Sequence, residues 1–287
     1  MSEINKLNIQ WYPGHMAKAR RAMQDDMKLV DLVIEIVDAR IVRSSRNPDI
    51  DKLAGQKSRL ILLNKSDLSE DAENARWIAH FSAQNIGVVA LDARSRTQMK
   101  KVVAAAQEAC KEKIERDKRR GILNRPIRAM VVGIPNVGKS TFINSFSNRS
   151  VAKTGNKPGV TKGNQWIRID NKLELLDTPG LLWPKFEDPV VGMHLAYIGS
   201  INDDIINKEE LCMHFIEEIL TRFPNAFDKR YEIQCEGKKP HEIMEAIAVK
   251  KACLVKGGEP DLKRVANMIL DDYRGGRLGK ISIEVAE

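Results

Sequence analysis

Cysteine is rare in this chain. Four occur in 287 residues, Cys110, Cys212, Cys235 and Cys253, and none is spaced as a metal-binding or redox pair. That excludes a disulfide-built scaffold and a thiol-redox motif, and reads as reduced thiols in a cytoplasmic protein. Long apolar runs are missing too: no stretch approaches the roughly 20 residues that a membrane-spanning helix needs. The opening MSEINKLNIQWYPGHM carries early acid and no apolar core, so no secretory signal is expected. Internal repeats and low-complexity segments are absent. What is left is a soluble chain, expected to be a monomer, whose 43% apolar content suffices for two packed domains.

Charge is unevenly spread. Residues 201–287 hold 14 Lys and Arg against 17 Asp and Glu, a net of −3, which leaves +11 on residues 1–200. A basic run covers Lys111 to Arg128, with Lys113, Arg116, Lys118, Arg119, Arg120 and Arg125 between. Two readings stand: a polyanion footprint, or a solvated helix laced with i,i+4 ion pairs.

Apolar runs bounded by turn residues mark buried strands at Leu32–Val37, Leu60–Leu63, Val88–Leu91 and Ala129–Val132. Helical patterns lie near His15–Lys28, Asp71–Gln84, Thr97–Arg119 and Lys139–Ser147, an alternation that gives a doubly wound α/β sheet. Gln165–Ile169 and Leu173–Leu176, joined by Asp170-Asn171-Lys172, read as a β-hairpin and bring the sheet to six strands. Beyond Gly180 the composition turns helical, at Pro189–Ile198, Lys208–Phe223, His241–Val255 and Asp261–Tyr273. We therefore expect an α/β domain over residues 1–184 and a small all-α domain over 185–287.

The chemistry sits in loops that follow strands. Gly133 to Ser140 (GIPNVGKS) reads G-x-x-x-x-G-K-S between a strand and a helix, a phosphate-binding loop in its proper context. Its expected nucleotide contacts are Asn136, Val137, Gly138, Lys139, Ser140 and Thr141, with Lys139 bridging the β- and γ-phosphates and Ser140 on Mg²⁺. Asn64-Lys65-Ser66-Asp67 reads NKxD, in which Asp67 can accept both guanine N1–H and the exocyclic amine that adenine lacks. Lys65 can pack on the base, and Asn64 can tie this loop to the phosphate loop. Asp92-Ala93-Arg94 follows the next strand, where a backbone N–H can meet guanine O6. Asp177-Thr178-Pro179-Gly180 reads DxxG, with Asp177 on a Mg²⁺-bound water and the Gly180 N–H sensing the γ-phosphate. Thr161 is the candidate switch threonine for Mg²⁺, set against an ordinary loop threonine.

These motifs run NKxD, phosphate loop, threonine, DxxG, whereas the usual GTPase order puts NKxD last. The six strands supply every conventional piece once rotated, so the domain reads as a circularly permuted P-loop GTPase. Lys111–Arg125 is then the joint between the old C- and N-termini. One piece is missing: where a Gln commonly follows DxxG to orient water, this chain has Leu181 and Leu182. Two substitutes are visible. Asn136 can coordinate a monovalent cation such as K⁺ beside the phosphates. His15, on the Pro13-Gly14 turn, can swing toward the γ-phosphate or simply cap and pack its helix.

With these residues the chain resembles the circularly permuted GTPases that carry a hydrophobic residue in place of the catalytic glutamine. Trp11-Tyr12-Pro13-Gly14-His15-Met16-Ala17-Lys18-Ala19, Asp38-Ala39-Arg40 and Asp177-Thr178-Pro179-Gly180-Leu181-Leu182-Trp183-Pro184 resemble most closely the ribosome biogenesis GTPase A family. So does the tail Tyr273-Arg274-Gly275-Gly276-Arg277-Leu278-Gly279. The resemblance implies a GTP-hydrolysing factor at a late step of bacterial large-subunit assembly. It also implies binding of the subunit precursor and its rRNA partly through the helical domain, stimulation by the particle, dependence on K⁺, and a role for His15 in hydrolysis. DNA is not an expected partner. Two other readings remain: a GTPase of tRNA modification or membrane signalling, and an RNA-binding scaffold with a structural nucleotide. Asp67→Asn is expected to shift preference from guanine toward xanthine nucleotides; competition binding that shows unchanged base selectivity removes Asp67 from base readout.

Overall fold

The computed structural model describes residues 14–123, 125–147, 165–169, 171–183 and 186–286. Among them the chain forms two compact units. One runs through Phe186 and takes back Glu284 onward; the other is Glu187–Ile283.

The first unit is built on one six-stranded sheet. After helix α1 (Gly14–Asp26) come β1 (Leu32–Asp38), α2 (Val42–Ser45), α3 (Pro48–Ala54), β2 (Ser58–Asn64), α4 (Asp71–Ser82) and β3 (Gly87–Leu91). Helices α5 (Met99–Ala109) and α6 (Lys111–Arg119) lead to β4 (Ile127–Val132), α7 (Lys139–Ser147) and the hairpin β5 (Gln165–Arg168)–β6 (Leu173–Asp177). The strand order is β3-β2-β1-β4-β6-β5, all parallel except the β5 edge. The chain thus enters at the centre, builds one wing, returns beside its first strand and builds the other. The crevice between β1 and β4, where winding reverses, is where ligands bind in open α/β sheets.

Every residue of β1 is buried, the pattern of a central parallel strand covered on both faces. Two of them are acids. Glu35 is 1% exposed, and burial raises its carboxyl despite Arg46 and Arg59, each 3.2 Å away. A buried carboxylate needs such partners, and the Asn47 N–H adds a further hydrogen bond at 3.3 Å.

The sequence predicts one helix over Thr97–Arg119; the structure bends it at Cys110. Helix α5 buries Met99, Val102 and Ala106, whereas α6 buries only Asp117. The apolar stripe ends at Cys110, which is fully buried, and the charged continuation leaves the body there. Likewise the pattern near His241–Val255 gives a helix only over Pro240–Lys250 (α11, below), since Ala252 takes φ +51 and Cys253–Val255 turn back toward Glu259. Helices α2 and α3 are too short to show periodicity. Asn47-Pro48 nonetheless marks the start of α3: the Asn47 side chain accepts from Asp49 N at 3.0 Å and Pro48 sits at the first helical position.

The second unit holds α8 (Pro189–Tyr197), α9 (Lys208–Arg222), α10 (Ala226–Tyr231), α11 and α12 (Leu262–Arg274). Asp188 and Asn207 cap α8 and α9 through backbone N–H groups. Phe215 centres the core, with Tyr273, Tyr197 and Phe227 rings at 4.9, 5.0 and 6.3 Å. The tail motif explains itself here. Arg274 donates to Ala196 O (2.8 Å) and Tyr197 O (2.9 Å), the last carbonyls of α8, and pairs with Asp203 at 3.0 Å. Arg277 and Arg230 hold the buried Asp272, which also accepts from the Tyr231 hydroxyl at 3.0 Å. Arg274 and Arg230 join helices, the work their cationic forks do best.

Beyond this unit Glu284 belongs again to the first. Its carboxylate accepts from Arg43 N (2.5 Å), Ser44 N (3.1 Å) and the Ser44 hydroxyl, capping α2. Arg274→Ala is expected to loosen α8 and α12 by about 2 kcal/mol. Hydrogen exchange should show faster opening in those helices with guanine-nucleotide affinity unchanged; unaltered protection there removes the capping role.

Candidate functional site: a guanine-nucleotide pocket

Every motif lies at the carboxyl edge of a strand: Asp38 ends β1, Asn64 ends β2, Asp92 follows β3, Gly133 follows β4 and Asp177 ends β6. The parallel register explains the gathering, since Asp38 pairs with Asn64 and Asn64 with Leu91, while Glu35 pairs with Val132.

Asn64 joins the loops. Its side-chain NH₂ donates to Val137 O at 2.7 Å, and its side-chain oxygen accepts from Ala93 N at 2.9 Å. Lys65 follows with φ +59, donating to Asn136 O at 3.2 Å and pairing with Asp38 at 2.9 Å. Asn136 also stands at φ +59, a left-handed conformation for a non-glycine residue of the kind that gathers at functional sites. Burial alone would raise the Asp38 carboxyl, but Arg40 at 2.9 Å and Lys65 hold it well below the usual carboxylate range. Asp38 and Arg40 are thus a buried platform under the base-side loop. In sequence Asp38-Ala39-Arg40 carries a family resemblance but no role; the structure shows a buried ion pair at the end of an apolar strand.

Ser66 N bonds Leu91 O at 3.2 Å, and Ser66 O accepts from Asn74, fixing the NKxD turn against β3 and α4. Asp67 divides its oxygens: Oδ2 accepts from Arg94 at 2.7 Å, whereas Oδ1 is buried with no hydrogen-bond partner. A buried carboxylate oxygen left this way suits a ligand donor. The sequence places Arg94 only as the last residue of the Asp92–Arg94 loop; its side-chain pairing with Asp67 is a contact that no motif spacing predicts. Arg94 also pairs with Asp92 at 2.8 Å, and that hydrogen bond leads in lowering the Asp92 carboxyl. The Ala93 N–H is engaged by Asn64 and the Asp92 N–H by Gln98 at 2.8 Å.

On the phosphate side two glycines are dictated by space. A Cβ on Gly138 would lie 2.3 Å from Asn64 Nδ2, and one on Gly133 2.5 Å from Ile36 O. Their φ values, +104 and +154, favour glycine as well. Val137 is buried between these loops, and Ser140 and Thr141 open α7, whose N-terminus favours an anion. Lys139 is 6% exposed and donates to Gly133 O (3.0 Å) and Ile134 O (2.8 Å). Burial drives its ammonium down to about 8, against the pull of Asp177. Burial lifts Asp177 to about 6, with Lys139 opposing.

Gly180 packs where no side chain fits: its Cβ would stand 2.8 Å from Pro135 Cα and 3.1 Å from Lys139 Nζ. Thr178 anchors the same turn by donating to Val131 O at 2.7 Å. Leu181 and Leu182 are buried, and the Leu181 backbone is tied on both sides, its N–H to Gly133 O (3.2 Å) and its carbonyl to Asn47 (3.2 Å). Asp177 Oδ1 is buried without a hydrogen-bond partner, which fits the ligand sphere of a hydrated cation beside Ser140. Thr161 lies outside the described residues, and so does the His15 side chain, whose backbone is in the first turn of α1.

Fold and site together define a circularly permuted P-loop GTPase. The family model described as "50S ribosome-binding GTPase" matches residues 128–248, starting at the phosphate-loop strand and leaving out the NKxD segment that permutation places upstream. The chain is 43% identical to ribosome biogenesis GTPase A of Bacillus cereus over 97% of its own length and 94% of that protein's. For the same-named protein of Thermotoga maritima identity is 29%, covering 97% and 95%. Solved T. maritima YlqF is similar in its GDP-bound form (TM-score 0.67, 25% identity, 92% of this chain and 99% of that one) and its GNP-bound form (0.66, 26%, 94% and 99%). The chain belongs to the ribosome biogenesis GTPase A family: a guanine-nucleotide-binding enzyme that hydrolyses GTP in the service of ribosome assembly.

The charges at Lys139 and Asp177 are held against burial. A carboxyl raised from 3.8 to about 6 favours the folded state fully below pH ~4, and that benefit is gone above pH ~6. Asp177→Asn is therefore expected to stabilise the nucleotide-free protein at pH 7.5 by about 1–3 kcal/mol while abolishing Mg²⁺-dependent GTP hydrolysis. A denaturation midpoint at or below wild type contradicts the burial argument.

Proposed function

We propose that this protein is a GTP-driven switch acting at a late step of large-subunit assembly, with hydrolysis stimulated by the particle it binds. The observation that carries the reading is the burial and backbone tethering of Leu181. The position that commonly orients water is closed, so intrinsic turnover is slow and the missing group arrives with the partner or from another segment.

Residues of this chain divide the work as follows. Asp67 Oδ1 accepts the guanine N–H groups, with Arg94 fixing the carboxylate's other oxygen. A contact from the Asp92–Arg94 backbone to guanine O6 completes the base pocket once a backbone N–H there exchanges its internal partner for the ligand, as the Arg94 N–H can by leaving Asp92 Oδ1 at 2.9 Å. Lys139 leaves its two loop carbonyls for the β- and γ-phosphates, exchanging weak neutral acceptors for charged ones that restore its ordinary protonation. Ser140 and Thr161 would hold Mg²⁺, with Asp177 on one of its waters, and the ion would neutralise charge between the phosphates. Gly180 N–H reads the γ-phosphate, and Asp177 and Gly180 stand at the end of the strand just before the helical unit begins in sequence, giving the switch a short covalent path. Asn136 would coordinate K⁺, supplying the positive charge that an arginine finger otherwise gives, and His15 would orient water. The helical unit contributes rRNA contacts.

GTP turnover measured with and without purified large subunits tests this reading. We expect at least tenfold stimulation, reduced by His15→Ala with little loss of GTP affinity, and lowered when Na⁺ replaces K⁺. Equal turnover with and without particles overturns the switch reading and favours a scaffold; wild-type rates in His15→Ala or in Na⁺ retire those two roles individually.

A further inference from the structure

The basic run is neither wholly a solvated helix nor part of the nucleotide pocket. In the GTPase unit it forms one wall of an open groove of about 600 Å³ between α6 and the β5–β6 hairpin. Five cations line it, Lys113, Lys118, Arg125, Arg168 and Lys172, with Asp117 the acid among its lining. Asp117 bonds Lys113 at 2.5 Å, and Asp31 lies 3.5 Å from Lys113 and 3.9 Å from Arg125, so two cations are held in place by acids on the inner side. Positive charge dominates the remainder.

Beside the groove the edge strand adds a different surface. Trp166 and Arg168 share one face of β5 by the period of two, and Arg128 of β4 sits over the Trp166 ring at 5.4 Å. Trp166 is 40% exposed, unusual for the bulkiest apolar side chain, and Ile122 and Leu123 are exposed at the approach to β4. A groove of cations beside an accessible indole has the chemistry of single-stranded nucleic acid: phosphates follow the lysines and arginines while an unstacked base lies on the ring. An acidic peptide would use the charge but not the indole.

We propose that this groove is an RNA-binding surface on the GTPase unit itself, built from the joint that permutation created and separate from contacts assigned to the helical unit. It takes the phosphate backbone of an unpaired RNA segment, with one base on Trp166. The choice of RNA over DNA rests on the ribosome-assembly reading above; the groove's chemistry does not.

The test is fluorescence anisotropy with a labelled single-stranded RNA of about 20 nucleotides and the full chain, over a salt series. Lys118→Ala/Arg168→Ala should weaken binding at least tenfold near 0.1 M salt and flatten the log–log salt slope by about 1.4, two phosphate contacts' worth. Trp166→Ala should weaken it about tenfold with the slope unchanged, as loss of stacking does. Lys100→Ala/Lys101→Ala, exposed on α5 and equal in charge, should bind as wild type. GDP affinity checks that each variant is folded. Unchanged RNA affinity in the groove variants overturns the proposal, as does an equal loss in the α5 control or displacement by polyglutamate as effective as by RNA. Wild-type cosedimentation with large subunits in a non-hydrolysable GTP analogue is scored separately. Its failure sinks the assembly reading while leaving the groove result standing, and the converse pattern sinks the groove alone.

Discussion

The carboxamide of Asn64 is the joint on which this pocket hangs. With one NH₂ and one oxygen it fastens the phosphate loop at Val137 and the last base-side loop at Ala93, and Gly138 lies so close that no side chain fits between. A hydroxyl cannot reach both partners, and a carboxylate has no donor for Val137 O. Lys65 repeats the connection one residue later, binding Asn136 O above and Asp38 below. Three chain segments separated by dozens of residues are thereby held at hydrogen-bond length, and guanine selectivity and phosphate binding become properties of one rigid body.

The buried charges follow from that arrangement. Asp38 with Arg40 forms a fully buried pair whose removal by halves would strand a charge. Asp177 and Lys139 are different, since their environment opposes ionisation at both. They carry a cost in the free protein that phosphate and metal can lift, the usual trade between stability and a poised site. Asp67 Oδ1 and Asp177 Oδ1 are both buried without hydrogen-bond partners, one in the NKxD loop and one in the DxxG turn.

Permutation changes what neighbours what in sequence while keeping the sheet. The DxxG turn at Gly180 now precedes the helical unit in sequence by a few residues, and the old termini are fused through the basic segment Lys111–Arg125. Its Lys118 and the exposed Trp166 of the adjoining edge strand belong to the surface proposed above for RNA.

Much of this was legible in the residues. Glycine spacing, NKxD and DxxG name the chemistry because phosphate and guanine demand particular backbone freedom and particular donors, which few residue types satisfy. Four strands follow from apolar runs of the right length, two from a hairpin pattern, and their order of use from the order of the motifs. Folding in three dimensions decided the rest, because it depends on contacts that local sequence does not carry. The pairing of Arg94 with Asp67, the tie of Lys65 to the Asp38 platform, and the closure of Leu181 by Asn47 are long-range contacts without a spacing rule. The tail arginines carry only a family resemblance in sequence; in the structure Arg274 fastens α12 to α8 and Arg277 holds the buried Asp272. Whether a cation faces a carbonyl, a carboxylate or solvent is set by packing, and packing is what a linear string leaves open.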